Sequence, residues 1–232
     1  MPDRFFYPDA LHVGDVLLTD TEAHHLLHVL RAEVGTSVEL FDGRGTVASG
    51  KVIELHRKEA TIELLEVHNV PEHKGLTLLT AVPKGDRFRW LIEKATELGV
   101  SRLVPISTER SVVNPRETKL KKMEQTVISA CKQSGRNWMM QISEVINLKD
   151  ALKAIPESTT ILAGHPDGIT LNEVELTTTE EIAMLIGPEG GFTTEEADWL
   201  QQANVRLVSL GPNILRTETA GVALASWTLF RH

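Results

Sequence analysis

Two short apolar runs near the end of the chain each stop at a Gly-Pro pair. Ile182 to Ile186 leads into Gly187-Pro188-Glu189-Gly190-Gly191, and Val205 to Leu210 leads into Gly211-Pro212-Asn213-Ile214-Leu215-Arg216. Glycine permits the sharp turn and leaves main-chain groups open to a ligand, while proline fixes the exit direction and removes one donor. Two such turns predict one shared ligand pocket, and His165, after the run Thr160 to Gly164, stands where a third pocket loop would begin. Other reactive residues are less organised. His24 and His28 sit four apart and share a helix face, but no third ligand accompanies them, so they read as residues that pack or bond locally rather than as a metal site. Cys131 is the single cysteine, which rules out an internal disulfide or a cysteine zinc cluster and suits a small buried residue.

The elements that must position these turns follow from local pattern. Runs of five or six residues rich in Ile, Leu and Val, bounded by Gly and Pro, read as buried strands. Thr193 with Glu196 forms a capping box that starts a helix containing Glu195 to Gln202. Strand, bare loop and helix in succession make a binding edge of an open α/β sheet.

The chain divides into two textures. Residues 1–70 hold short strand-like runs at Val38–Phe41, Val47–Leu55 and Thr61–Val67, with one short helix at Glu22–Leu30, and predict a small β-barrel. Asn69 to Gly75 reads as the linker. Residues 75–232 alternate: strand Leu76–Val82, helix Asp86–Leu98, strand Arg102–Ser107, helix Lys119–Lys132, strand Ile142–Ile146, helix Leu148–Ala154 and strand Thr160–Ala163 precede the two Gly-Pro strands. The prediction is an α/β domain with a mostly parallel sheet covered by helices on both faces.

A chain of 232 residues that is 41% hydrophobic can build a real core. Its net charge of −8 is unevenly spread. Residues 1–82 carry 7 Lys/Arg against 13 Asp/Glu and residues 141–232 carry 5 against 13, but residues 83–140 carry 12 against 6. That basic middle segment is an electrostatic footprint for phosphate, or else a solvated helix face at Lys119, Lys121 and Lys122. The N-terminus lacks a basic leader and no apolar stretch is long enough for a bilayer, so a cytoplasmic protein without membrane contact is expected. There is no G-x-x-x-x-G-K-[ST] loop and no G-x-S-x-G elbow, and Val82-Pro83-Lys84-Gly85-Asp86 is not a Rossmann glycine turn.

The blocks Arg4-Phe5-Phe6, His24-His25-x-x-His28-Val29-Leu30-Arg31, Leu40-Phe41-Asp42-Gly43, Ile92 to Gly99, Glu109-Arg110, Gln133-Ser134-Gly135-Arg136, Ile186 to Gly191 and Leu210 to Ala220 occur in one order over nearly the whole chain. In these the sequence resembles the RsmE family of ribosomal RNA methyltransferases, within the SPOUT (α/β-knot) superfamily. The resemblance implies a PUA-like RNA-binding β-barrel over 1–70 and a SPOUT methyltransferase domain over 75–232 with a C-terminal trefoil knot. It also implies S-adenosyl-L-methionine as methyl donor and N3 of a uridine in the decoding region of 16S rRNA, within the assembled 30S subunit, as acceptor. A homodimer without metal is implied as well. A SPOUT enzyme with another RNA target, and a non-catalytic RNA-binding assembly factor, are the alternatives.

Carried over by position, the cofactor would meet Leu162, Ala163, Gly164 and His165 on one strand end, Ile186, Gly187, Pro188, Glu189 and Gly190 on the next, and Leu210, Gly211, Ile214, Leu215 and Arg216 on the third. Arg216 would stabilise charge on the uracil ring oxygens, and Glu189 or Glu218 would accept the proton or orient the arginine. Arg4, Arg31, Lys84, Arg87, Arg110 and Arg136 would contact RNA. Asn213 stands where the family commonly carries arginine.

Overall fold

The computed structural model describes residues 3–72, 75–113, 120–176 and 181–231, apart from the side chains of 120–122. Lys119, at the start of a predicted helix, therefore lies outside the described residues. The chain forms two compact units, Met1–His73 with Cys131–Met139, and Lys74–Ala130 with Met140–His232.

The first unit is built on a five-stranded sheet. Its strands are β1 (Asp3–Phe6), β2 (Gly14–Leu18), β3 (Ser37–Phe41), β4 (Thr46–Leu55) and β5 (Ala60–Asn69), in the order β1-β3-β4-β5-β2. Among the described residues β1 and β2 stand at the two ends of this path, in the region where the sequence predicts a small β-barrel. Alternation does the work in β4 and β5: Ala48, Val52, Ile62 and Leu64 point inward and join Phe5, Leu18, Leu26 and Leu40 in one core. The predicted helix Glu22–Leu30 is broken in two, as α1 (Asp20–His24) runs into a π-turn at His25–Val29. His24 and His28 are ring neighbours there, 4.8 Å between centroids. Among the described residues no group of three or more His, Cys, Asp or Glu is placed to hold a metal.

Residues 131–139 complete this unit. The Asp42-Gly43 turn is held by Asp42 Oδ1, which accepts from the N–H of Arg44 and of Thr46. Gly45 N donates to Asn137 O, Met139 N donates to Gly43 O, and Trp138 Nε1 donates to Val70 O. A Cβ on Gly45 would come within 2.6 Å of the Trp138 ring, so glycine is required where the indole lies across the turn.

The second unit is a parallel sheet in the order β12-β10-β11-β6-β7-β8, with β9 also on β7. Its strands are β6 (Leu76–Ala81), β7 (Val100–Ser107), β8 (Gln141–Ile142), β9 (Ile146–Asn147), β10 (Thr160–Thr170), β11 (Ile182–Ile186) and β12 (Arg206–Ser209). The single strand predicted at Ile142–Ile146 is thus two short ones on the same neighbour. β11 is buried throughout, as expected of a strand with elements on both faces.

One face carries α4 (Leu148–Lys153) and α5 (Thr194–Gln202), whose Leu148, Ala151 and Leu200 pack with Leu79, Ala163, Ala183 and Leu185. The other carries α2 (Arg87–Glu97) and α6 (Thr217–Arg231). Gly221 of α6 lies so close to α2 that a Cβ would be 3.1 Å from Leu91 Cδ1, and Thr228 Oγ1 contacts Met184 Sδ of β11 at 3.6 Å. α3 (Leu120–Ser134) completes the helices. The Thr193–Glu196 capping box is formed at α5, with both reciprocal hydrogen bonds present.

β10 departs from its predicted length. Gly164 and Ile169 both pair with Val208 of β12, so residues 165–168 are extruded as a bulge and the strand then resumes to Thr170.

Candidate active site

Three strand ends converge on one cavity of about 970 Å³. β10 contributes Gly164 and the bulge, β11 contributes Ile186 with the turn Gly187 to Phe192, and β12 contributes Ser209 with the turn Leu210 to Leu215. Parallel strands end on one side of the sheet, and this is why turns distant in sequence meet. The volume is at the upper end of the range for small-molecule and cofactor sites.

Each wall is set by local chemistry. Gly164 leaves no room beside it, since a Cβ would be 3.0 Å from Ile186 Cδ1 and 3.4 Å from Leu210 Cδ1. A Cβ on Gly187 would be 3.1 Å from the Phe192 ring, so the backbone and not a side chain faces the cavity there. Gly211 adopts φ 122°, which disfavours any residue but glycine. The β11 turn is braced from below by Arg110, whose Nη1 donates to Gly190 O at 2.9 Å and Phe192 O at 3.2 Å. It is tied to the start of α6 by Thr217 Oγ1 donating to Gly187 O at 3.2 Å. In the bulge, His165 Nδ1 accepts from Asp167 N–H at 3.2 Å.

The sequence-predicted residues do not all fall here. Gly164, His165, Ile186, Gly187, Pro188, Glu189, Gly190, Leu210, Gly211, Ile214 and Leu215 line the cavity. Leu162 and Ala163 do not, because their side chains are fully buried in the sheet core, two residues and one residue before Gly164. Ile214, expected to cover a ligand face, projects outward and is 82% exposed. Arg216 and Glu218 line a second cavity of about 450 Å³, which shares Ile214 and Leu215 with the first. Sequence reasoning missed Asp167, Thr170, Leu171 and Asn172, which reach the cavity because β10 continues past its bulge. The sequence pattern ends that strand at Gly164 and starts a loop at His165, so the return of the chain to the strand at Ile169 leaves no local signal.

The cations expected at RNA have several fates. Lys84 and Arg31 are exposed. Arg87 Nη1 lies 3.6 Å from Glu189 Oε1, and Arg110 is the brace described above. Arg4 is buried, at 6% exposure. Its Nη1 donates to Cys131 O at 3.0 Å, its Nη2 donates to Asn137 Oδ1, and its Nε lies 2.6 Å from Glu39 Oε1, off the N–H axis. Arg4 is therefore a structural residue of the first unit. Arg4→Ala is expected to cost about 1–3 kcal/mol by stranding these acceptors, read as a lower urea midpoint with unchanged slope. Arg136 is half-buried, and that burial lowers its pKa from the ordinary arginine value against the raising influence of Cys131 and Glu72.

The chain matches a family model described as an RNA methyltransferase domain over residues 71–229, and one described as an RNA methyltransferase PUA domain over residues 18–65. It is 32% identical over 228 residues to ribosomal RNA small subunit methyltransferase E of Synechocystis sp., covering 94% of this chain and 74% of that one. Among solved structures, ribosomal RNA small subunit methyltransferase E from Neisseria gonorrhoeae bound to S-adenosyl methionine superposes with a TM-score of 0.89 at 33% identity, covering 97% and 96% of the two chains. A Legionella pneumophila protein in complex with the bound cofactor SAM gives 0.88 at 29%, covering 99% and 97%. With a PUA-type β unit ahead of a parallel-sheet methyltransferase unit, and relatives matched along nearly its full length, the chain belongs to the RsmE family of RNA methyltransferases.

Proposed function

We propose that this protein methylates N3 of a uridine in the decoding region of 16S rRNA, on the assembled small subunit in the cytoplasm, with S-adenosylmethionine as donor. The observation that carries the reading is the meeting of three glycine-bearing strand ends around one cofactor-sized cavity. The cavity fits the donor in kind: Gly164 and Gly187 bring backbone to its wall, and apolar Ile186, Leu210 and Leu215 stand beside them. When bound there, the donor supplies an electrophilic methyl group on a sulfonium centre.

The residues then divide the work. Backbone N–H and C=O groups of Gly164–His165, Ile186–Gly190 and Leu210–Leu215 orient the adenosine and methionine parts, while the apolar walls exclude water. Arg216 opposes the negative charge that develops on the uracil oxygens, a contribution of about 3–4 kcal/mol for an oxyanion donor. Glu189 holds Arg87 beside the cavity through their ion pair. Exposed Arg31 and Lys84 meet RNA phosphates. We read the C-terminal crossing of β10 to β12 as the trefoil knot of the superfamily. The exposed Leu229 and Phe230 at the end of α6 favour a homodimer contact.

The test incubates purified protein with small subunits from a strain lacking the modification and methyl-labelled donor, then identifies the nucleoside by mass spectrometry. 3-Methyluridine is expected. A different methylated nucleoside assigns another RNA target, and no label assigns a binding protein. The donor alone should raise thermal stability, by about 2.7 kcal/mol at one hundred times its dissociation constant.

A further inference from the structure

We infer that the smaller cavity receives the target uracil, with Trp90 as its stacking platform and Glu218 as the acceptor of its N3 proton; this rests on the methyl-transfer reading above. The cavity, about 450 Å³, is lined by Arg87, Trp90, Arg216 and Glu218, and Ile214 and Leu215 form the wall it shares with the larger cavity. Because Ile214 and Leu215 line both cavities, a base in one and a methyl donor in the other would meet at those residues.

Glu218 is the most telling of the group. It is only 6% exposed, and its Oε2 is buried with no hydrogen-bond partner. A buried carboxylate oxygen left unpaired is costly, and such groups are rare enough in folded proteins to call for a reason. No ion pair among the described residues ties it to Arg216, which leaves that oxygen open to a ligand donor. Uracil N3–H is the donor it lacks. Trp90 offers the complementary apolar surface, with 43% of the residue exposed on α2. An accessible indole is what an unstacked base rests on, whatever its sequence context. Arg216 and Arg87 stand on the same cavity, where charge on O2 and O4 would form.

The step balances. The N3–H bond breaks and an O–H bond forms on the Glu218 carboxylate, while the electron pair stays on N3 and spreads over O2 and O4. That pair makes the new N–CH3 bond as the donor's S–CH3 bond breaks and its electrons return to sulfur. The proton then leaves Glu218 for solvent.

The test uses the full-length protein on small subunits lacking the modification. Glu218→Gln should lower kcat about 100-fold, as loss of a general base does, with donor affinity unchanged by calorimetry. Reconstituted subunits carrying 5-fluorouridine at the target, whose imide is more acidic, should recover much of that loss in Glu218→Gln and change the wild type little. Trp90→Ala should lower kcat/KM about 10- to 100-fold, and Trp90→Phe should restore most of it. Wild-type turnover in Glu218→Gln, an equal 5-fluorouridine response in both proteins, or loss of donor binding in either variant would overturn the assignment while leaving the methyl-transfer reading intact. Wild-type protein that methylates no subunit would remove that reading and this one together.

Discussion

Arg216→Ala is expected to lower methyl transfer to small subunits about 10³-fold while leaving S-adenosylmethionine affinity almost unchanged. The separation of the two effects follows from position. Arg216 lines the smaller cavity and not the larger, so its side chain is not part of the wall that would hold the donor. It is exposed, and its tie to α6 is through its carbonyl, which accepts from Ala220 N–H at 2.8 Å, so truncating the side chain leaves the helix start in place. Arg216→Lys keeps the charge but loses the planar fork of donors, and should recover only part of the rate. Single-turnover kinetics with donor binding by calorimetry measure both quantities. Undiminished turnover would take Arg216 out of the reaction, and an equal fall in donor affinity would move it into the cofactor site.

Gly168→Ala should cost about 3 kcal/mol in folding stability and remove most donor binding. Gly168 closes the bulge of β10, and a Cβ on it would lie 2.5 Å from the Leu207 carbonyl carbon and 2.6 Å from that of Val208. Those atoms are backbone in the neighbouring strand, so β10 and β12 must part to admit a methyl group. The bulge carries His165, Pro166 and Asp167 into the cavity wall, and parting the strands displaces them. Gly164→Ala is the control. Its Cβ would crowd Ile186 Cδ1 and Leu210 Cδ1, the ends of side chains that can turn aside, with Leu185 O at an ordinary contact distance of 4.0 Å, so the loss should be smaller. Urea denaturation and donor titration of both variants check the contrast, and equal losses would refute it.

Local chemistry made much of this legible in the sequence. The Gly-Pro turns after β11 and β12, the capping box at Thr193 and the alternation of strand and helix each depend on neighbours within a few residues, and each is found where the residues put it. What escaped is set by partners far along the chain. β1 is four residues long and makes sense only beside β3. The β10 bulge exists because Ile169 returns to the same partner as Gly164, a pairing no local pattern encodes. Arg4 looked like a free cation because its ion-pair partner Glu39 and its two acceptors, Cys131 O and Asn137 Oδ1, are distant in sequence. Splitting the two cavities was equally invisible, since consecutive residues Leu215, Arg216 and Thr217 turn different ways at the start of α6.

Residues 131–139 supply the indole, the carbonyl and the amide that close the Asp42–Val70 region. A nascent chain therefore cannot finish its first unit when residues 1–73 leave the exit tunnel. It must wait for more than sixty further residues to be translated, with the buried Arg4 still lacking its acceptors at Cys131 and Asn137, and Trp138 not yet seated on Gly45. Vectorial synthesis thus makes β1 to β5 depend on the end of α3, and a truncated product ending at residue 70 would emerge with its closing strap missing.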